Sequence, residues 1–155
     1  MTKRFFASVT LLCALALTFT WPAKTQTPTS TPGKSLLEAY VSAWNRRDFA
    51  ALDKLLAPDA VHEDMARPSR EEGLIEIKQS IRTTIAEHPD MSWHLINIVD
   101  DGSAVAAEWV WRGNLQGDGR SAPRRIAGRG ASVAVIEKGQ IKRLSDYYDF
   151  DSVFH

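Results

Sequence analysis

The chain has 155 residues, enough for one domain with a substantial core, and its 25% charged and 44% hydrophobic residues are ordinary for a globular protein. Its formal net charge is zero. That balance argues against a nucleic-acid surface, which needs a basic excess, and no acidic run marks a disordered tail.

The N-terminus differs from the rest. Lys3 and Arg4 precede an apolar run from Phe5 to about Thr20. This is the pattern of a secretory signal over residues 1–23, too short for a spanning helix, which needs roughly 20 apolar residues. Cleavage after Ala14-Leu15-Ala16 or near Ala23 both remain open, and an uncleaved anchor would be the only membrane contact. Lys3-Arg4 is a poor twin-arginine pair, and Leu12 before Cys13 is unlike a lipoprotein signal. Cys13 is the only cysteine, so the exported chain would have no disulfide and no thiol nucleophile. Export predicts a periplasmic or secreted protein. Losing Lys3 and Arg4 takes the basic count from 19 to 17 against 19 acids, for a net charge of −2.

Residues 24–34 are rich in Thr, Pro and Ser and read as an extended tether to a domain at 35–155. Ser35-Leu36-Leu37-Glu38 has the form of a capping box, and Leu37, Tyr40, Val41 and Trp44 recur at helical spacing. Asp48 is placed to cap a second short helix carrying Phe49, Leu52, Leu55 and Leu56, which Pro58 ends. Ala60 to Met65 alternates as a strand, with Ala60, His62 and Asp64 on one face and Val61, Glu63 and Met65 on the other. Ser69-Arg70-Glu71-Glu72 looks like another capping box, opening a helix to about Glu87 on the stripe Leu74, Ile77, Ile81 and Ile85. His88 reads as an exposed stop residue.

The remainder is β. Met91 to Val99 and Ala104 to Leu115 flank the turn Asp100-Asp101-Gly102. In the second of these strands Ala107, Trp109 and Trp111 alternate with Glu108, Val110 and Arg112. A loop at 116–123 leads to a strand from Arg124 to Ile136, and Glu137-Lys138-Gly139 turns it into a last strand. There Lys142, Leu144, Asp146 and Tyr148 share one face, so Asp146 stands between Leu144 and Tyr148 on a row that wants a core. A carboxylate on such a row is costly unless it is paired, solvated by a cavity or kept for chemistry. An edge-strand aspartate reaching water would also satisfy the pattern. The order of elements is α+β.

The run GQIKRLSDYYDFDSVF resembles the last strand of SnoaL-like polyketide cyclases and limonene epoxide hydrolases, members of the nuclear-transport-factor-two-like superfamily, and AYVSAWNRRDFAALDKLLAPDAVHED resembles their opening helices and first strand. The resemblance covers most of the chain from Ser35. It implies a cone-shaped domain, a curved antiparallel sheet wrapped round the N-terminal helices, with Asp146 facing a pocket. His62 and Asp64 fall where limonene epoxide hydrolases carry a tyrosine and an asparagine that help hold the attacking water, which implies that both lie near Asp146. An exposed His–Asp pair is the plainer alternative. Where those hydrolases use an Arg and an Asp, this chain has Trp109 and Trp111. Epoxide opening is therefore doubtful, and cyclase- or isomerase-like acid–base work by Asp146 with His62 and Asp64 is less affected.

Trp109 and Trp111 suit either a flat hydrophobic ligand or simple filling of the cone. Tyr148 and Arg129 are further candidates for the pocket, Arg129 as a receptor for an anionic group, and Trp93 belongs either to pocket or to core. His62, His88, His94 and His155 are too scattered for a metal site, and neither a nucleotide-binding motif nor a GxSxG elbow occurs, so no cofactor is expected. The expected partner is a small hydrophobic molecule. The superfamily also implies homodimers through the open sheet face, and a non-catalytic binding or interaction module is the alternative to an enzyme.

Overall fold

A computed structural model describes residues 32–115 and 124–150. The expected signal segment, most of the expected tether, residues 116–123 and residues 151–155 lie outside the described residues. The elements are α1 (Pro32–Arg46), α2 (Phe49–Leu55), β1 (Leu56–Asp64), β2 (Ser69–Glu72), α3 (Gly73–Glu87), β3 (Ser92–Asp100), β4 (Ala104–Leu115), β5 (Arg124–Glu137) and β6 (Gln140–Tyr148). They form one six-stranded sheet in the order β2-β1-β6-β5-β4-β3. The pairing of β1 with β6 is parallel, and every other pair is antiparallel. The fold is the expected α+β one. Register shifts at Leu56/Val61, Leu95/Asn97 and Val135/Ile136 are irregularities of the kind that bend a sheet.

Three helix and strand ends differ from the sequence reading, each for a local reason. The first helix begins at Pro32, three residues before Ser35, so residues 32–34 are helix rather than tether. Its N-terminus is satisfied from a distance: the backbone N–H of Lys34 donates to Asp100 Oδ2 at 2.5 Å, across 66 residues. Gly33 permits this approach, since a Cβ there would stand 2.8 Å from Asp100 Oδ2 and 2.5 Å from Val105 Cγ2. Asp48 does cap α2, accepting from the Ala51 N–H at 2.9 Å, but Leu56 to Asp59 continue into β1, so Pro58 lies inside a strand. Ser69-Arg70-Glu71-Glu72 is not a capping box. It is a short edge strand antiparallel to β1, and α3 starts only at Gly73.

The core lies between the helices and one face of the sheet. Leu37, Tyr40, Val41 and Trp44 of α1, Leu52 of α2 and Ile77 and Ile81 of α3 pack with Val105, Ala107, Trp109 and Trp111 of β4 and Ile141 and Leu144 of β6. On β6 the simple alternation fails at the bulge. Ile141, not Lys142, is buried, and the inward row resumes at Leu144 and Asp146.

The inward row of β5 is small: Gly128, Gly130, Ser132 and Ala134. Trp111 stands opposite Gly128 and Trp109 opposite Gly130. The missing side chains leave room for the two indoles. A Cβ on Gly130 would come within 2.5 Å of Trp109 Cζ2 and of the Tyr147 carbonyl oxygen. Ring and backbone would both have to shift, so Gly130→Ala should destabilise the protein by about 1–3 kcal/mol in urea unfolding. A change within about 0.5 kcal/mol would show that Trp109 is not packed against this glycine.

Candidate acid–base site

Parallel pairing of β1 with β6 places Asp64 opposite Asp146 and His62 opposite Leu144. Antiparallel pairing of β5 with β6 places Ser132 on the other side of Asp146. The polar residues of three strands thus meet in one patch of an otherwise apolar face. Asp146 is 5% exposed. Its Oδ2 meets His62 Nε2 at 3.0 Å, and its Oδ1 accepts from Ser132 Oγ at 2.5 Å. Ser132 Oγ in turn accepts from the Trp109 indole N–H at 2.7 Å. Trp109 therefore orients the serine as a donor toward the carboxylate.

The second ring nitrogen of His62 is also engaged, with Nδ1 2.8 Å from Glu71 Oε2. Burial alone would make this imidazole easier to deprotonate. The hydrogen bonds to Asp146 and Glu71, and the charges behind them, outweigh burial and push it from 6.5 up to about 10. His62 is an imidazolium at neutral pH. The hydrogen bond and charge of His62 hold Glu71 below the usual carboxylate range, against burial.

Asp64 is equally buried but differently used. Its Oδ1 accepts from the backbone N–H groups of Ala66 and Arg67 at 3.1 and 3.0 Å. Its Oδ2 accepts from Arg67 Nε at 3.0 Å and the Tyr148 hydroxyl at 2.8 Å. Four donors occupy a carboxylate that has about four acceptor positions. The geometry makes Asp64 a pin that closes the turn after β1 and holds Arg67 and Tyr148, not a base. Burial, then the bond to Asp64, pushes the Tyr148 hydroxyl up, so it stays protonated.

These groups border a cavity of about 80 Å³. One wall is aromatic. Trp93 is stacked between Trp44 and Trp109, with ring centroids 5.4 and 5.2 Å away, and Tyr148 is tilted against Trp109 at 5.9 Å. Tyr40 of α1 also borders it. Burial, followed by the nearby charges of Asp146 and Glu71, pushes its hydroxyl far up, so it too remains a donor. A water needs roughly 10–15 Å³ of such space, so the cavity takes the bulk of a one- or two-ring molecule.

The structure thus brings His62, Asp64, Asp146, Tyr148, Trp109 and Trp111 to one cavity. It leaves Arg129 out. That residue is exposed, because Gly128 and Gly130 on either side of it point inward and the pleat turns it to the outer face. His88 does end α3, as its C-cap, but it is not exposed. It is half-buried, borders the cavity and lies 6.5 Å from Trp111, centroid to centroid. Trp93, undecided from sequence, borders the cavity. Glu71, Ser132, Arg67 and Tyr40 were not singled out from sequence. Ser132 gave no signal, because the glycines of its strand leave the inward face unmarked in the sequence. Glu71 was hidden inside an apparent capping box. Among the described residues no group of acids, histidines or cysteines is arranged to hold a metal.

The charged His62 makes stability depend on pH. The folded protein holds this proton more tightly than the unfolded chain, so the stabilisation is complete below pH 6.5 and is lost as pH rises toward about 10. Each unit between the folded and unfolded values corresponds to about 1.4 kcal/mol. Wild-type stability in urea should fall across that window, and His62→Gln should lose most of the slope. A wild-type slope no steeper than the variant's would contradict a charged His62.

Residues 37–144 match the sequence family described as the SnoaL-like domain. No curated protein matches the chain closely. Among solved structures, a hypothetical protein with a ketosteroid isomerase-like fold from Catenulispora acidiphila, in complex with trimethylamine, superposes with a TM-score of 0.70 at 26% identity, covering 80% of this chain and 91% of the other. IdmH, a putative polyketide cyclase from Streptomyces antibioticus, gives 0.70 at 23% identity, covering 79% and 94%. An LEH-like epoxide hydrolase from M. tuberculosis gives 0.66 at 24% identity, covering 79% and 86%. The last two establish likeness of fold. With the family matched over more than half of its length, the chain belongs to the SnoaL-like domain family.

Proposed function

We propose that this SnoaL-like domain binds a small, largely apolar carbonyl compound and abstracts a proton next to its carbonyl group, with Asp146 as the base. The observation that carries this reading is the one buried carboxylate of the cavity that keeps acceptor capacity. Asp64 is saturated by four donors, whereas each oxygen of Asp146 receives one protein donor. His62, bonded to its Oδ2, holds this carboxylate at the cavity, placed to take a proton. Tyr40, protonated and bordering the same cavity, supplies an O–H for the oxygen on which charge develops. Trp109 and Trp111 stand where an epoxide hydrolase of this fold would need its Arg and Asp, which favours isomerase- or cyclase-like chemistry. The N-terminal Lys3, Arg4 and apolar run support export as the setting, and fractionation of the expressing cells would check it.

A generic probe tests the base without knowledge of the natural substrate. In 5-nitrobenzisoxazole a base removes the ring C–H proton, its electron pair closes a nitrile, and the N–O bond breaks to release a coloured phenolate. The wild type should accelerate this over buffer, and Asp146→Asn should lose about 100-fold or more. Equal rates for the two proteins would remove Asp146 as the base.

A second reading is a binding module for a compact organic cation. Stacked indoles beside a carboxylate are a setting for cation–π contact, and the Catenulispora relative is in complex with trimethylamine. Saturable quenching of tryptophan fluorescence by trimethylamine, together with no acceleration of the probe reaction by the wild type, would favour this second reading.

A further inference from the structure

Strand β2 adds little to the core. All of Ser69–Glu72 is exposed except Glu71, which is half-buried, and the strand has no apolar residue. Burial of hydrophobic surface therefore does not explain why these residues pair with β1. What the pairing does is deliver one carboxylate. Glu71 stands directly opposite His62, and its Oε2 lies 2.8 Å from Nδ1.

The geometry points to Glu71 as a positioning residue, which holds the His62 ring so that Nε2 faces Asp146 at the cavity. The catalytic consequence rests on the acid–base reading above, while the placement of the ring does not. An imidazole bound at one nitrogen only has a second orientation about its last torsion, in which the nitrogens and carbons exchange places. Binding at both nitrogens removes that freedom. It also sets the charge. A neutral imidazole has a single N–H and could donate to just one of the two carboxylates, so satisfying both requires the imidazolium.

The groups around the ring come from every neighbouring element. Asp146 faces it from β6 and Glu71 from β2. The Tyr40 hydroxyl of α1 feels both of these carboxylates. Asp64 shares the inward face of β1, with its carboxylate taken up by Arg67, Tyr148 and two backbone donors. On α3, Ser80 is a hydrogen-bond partner of Glu71, and Glu87 borders the cavity. Of these, Glu71 and Asp146 alone bond the imidazole, and both act to hold its proton. Glu71 can be removed without touching the base.

The test is the titration of His62 in the purified protein, followed through its ring nitrogens in long-range 1H–15N spectra. In Glu71→Gln the midpoint should fall by about one unit or more, a tenfold loss of proton affinity. In Glu72→Gln, an exposed acid of the same strand bonded to Arg70, it should stay where it is. With 5-nitrobenzisoxazole, Glu71→Gln should lower kcat about tenfold with KM nearly unchanged, and Glu71→Asp should recover part of the loss. An unmoved midpoint in Glu71→Gln, or an equal move in Glu72→Gln, would overturn the assignment. If the midpoint moves but the wild type shows no turnover, the acid–base reading falls and the positioning of His62 stands.

Discussion

The parallel pairing of β1 with β6 is the constraint on which the site depends. It joins residues 84 apart in sequence, and it alone puts His62 beside Asp146. Antiparallel pairs make up the rest of the sheet. A parallel pair needs a long connection, and here that connection is the whole of β2, α3 and β3 to β5. The cost of closing so long a loop is met across the full interface, so the site forms only when the domain does. Asp146 and His62 therefore come from opposite ends of the domain, while Ser132 arrives from the neighbouring antiparallel strand.

Four carboxylates border or reach this small apolar space, the exposed Glu87 among them, and burying the other three would be costly unless each were matched. Two cations share the task. Arg67 and the turn amides compensate Asp64, and His62 serves Asp146 and Glu71 together. The division is uneven. Asp64 is held by fixed donors that carry no exchangeable role, while the His62 cluster has two anions for one cation. That imbalance keeps the imidazole charged far above its ordinary range.

Much of this arrangement was legible before the structure. The helical stripes of α1 and α3, the alternation of β4 and the inward row of β6 from Leu144 onward follow from periodicity. The suspicion attached to Asp146 came from a carboxylate on that row, and it is indeed buried. What was hidden depended on pairing. Ser69-Arg70-Glu71-Glu72 has the composition of a capping box, and only its register with β1 shows it to be a strand. Arg129 looked available because a strand sequence with Gly128 and Gly130 has no hydrophobic alternation to show which face is inward. Those two glycines are the inward face, and the indoles of Trp109 and Trp111 across from them fill the space. Asp64 and Asp146 looked alike in sequence, and they differ because Asp64 ends its strand at a turn whose amides and Arg67 close on it.

The same indoles decide what can enter. Trp93 is fixed between Trp44 and Trp109, and its backbone is clamped on both sides by Asn45, which accepts from its N–H and donates to its carbonyl, each at 2.8 Å. Trp109 is fixed in turn by Ser132. A wall held at so many points does not yield readily to a larger ligand, because moving one ring disturbs the stack and the serine that bonds Asp146. The cavity's 80 Å³ is thus a constraint on chemistry as well as on size. On the proposed reading, the aromatic wall would supply binding for a one- or two-ring carbonyl compound, while the strand pairings would supply the proton acceptor.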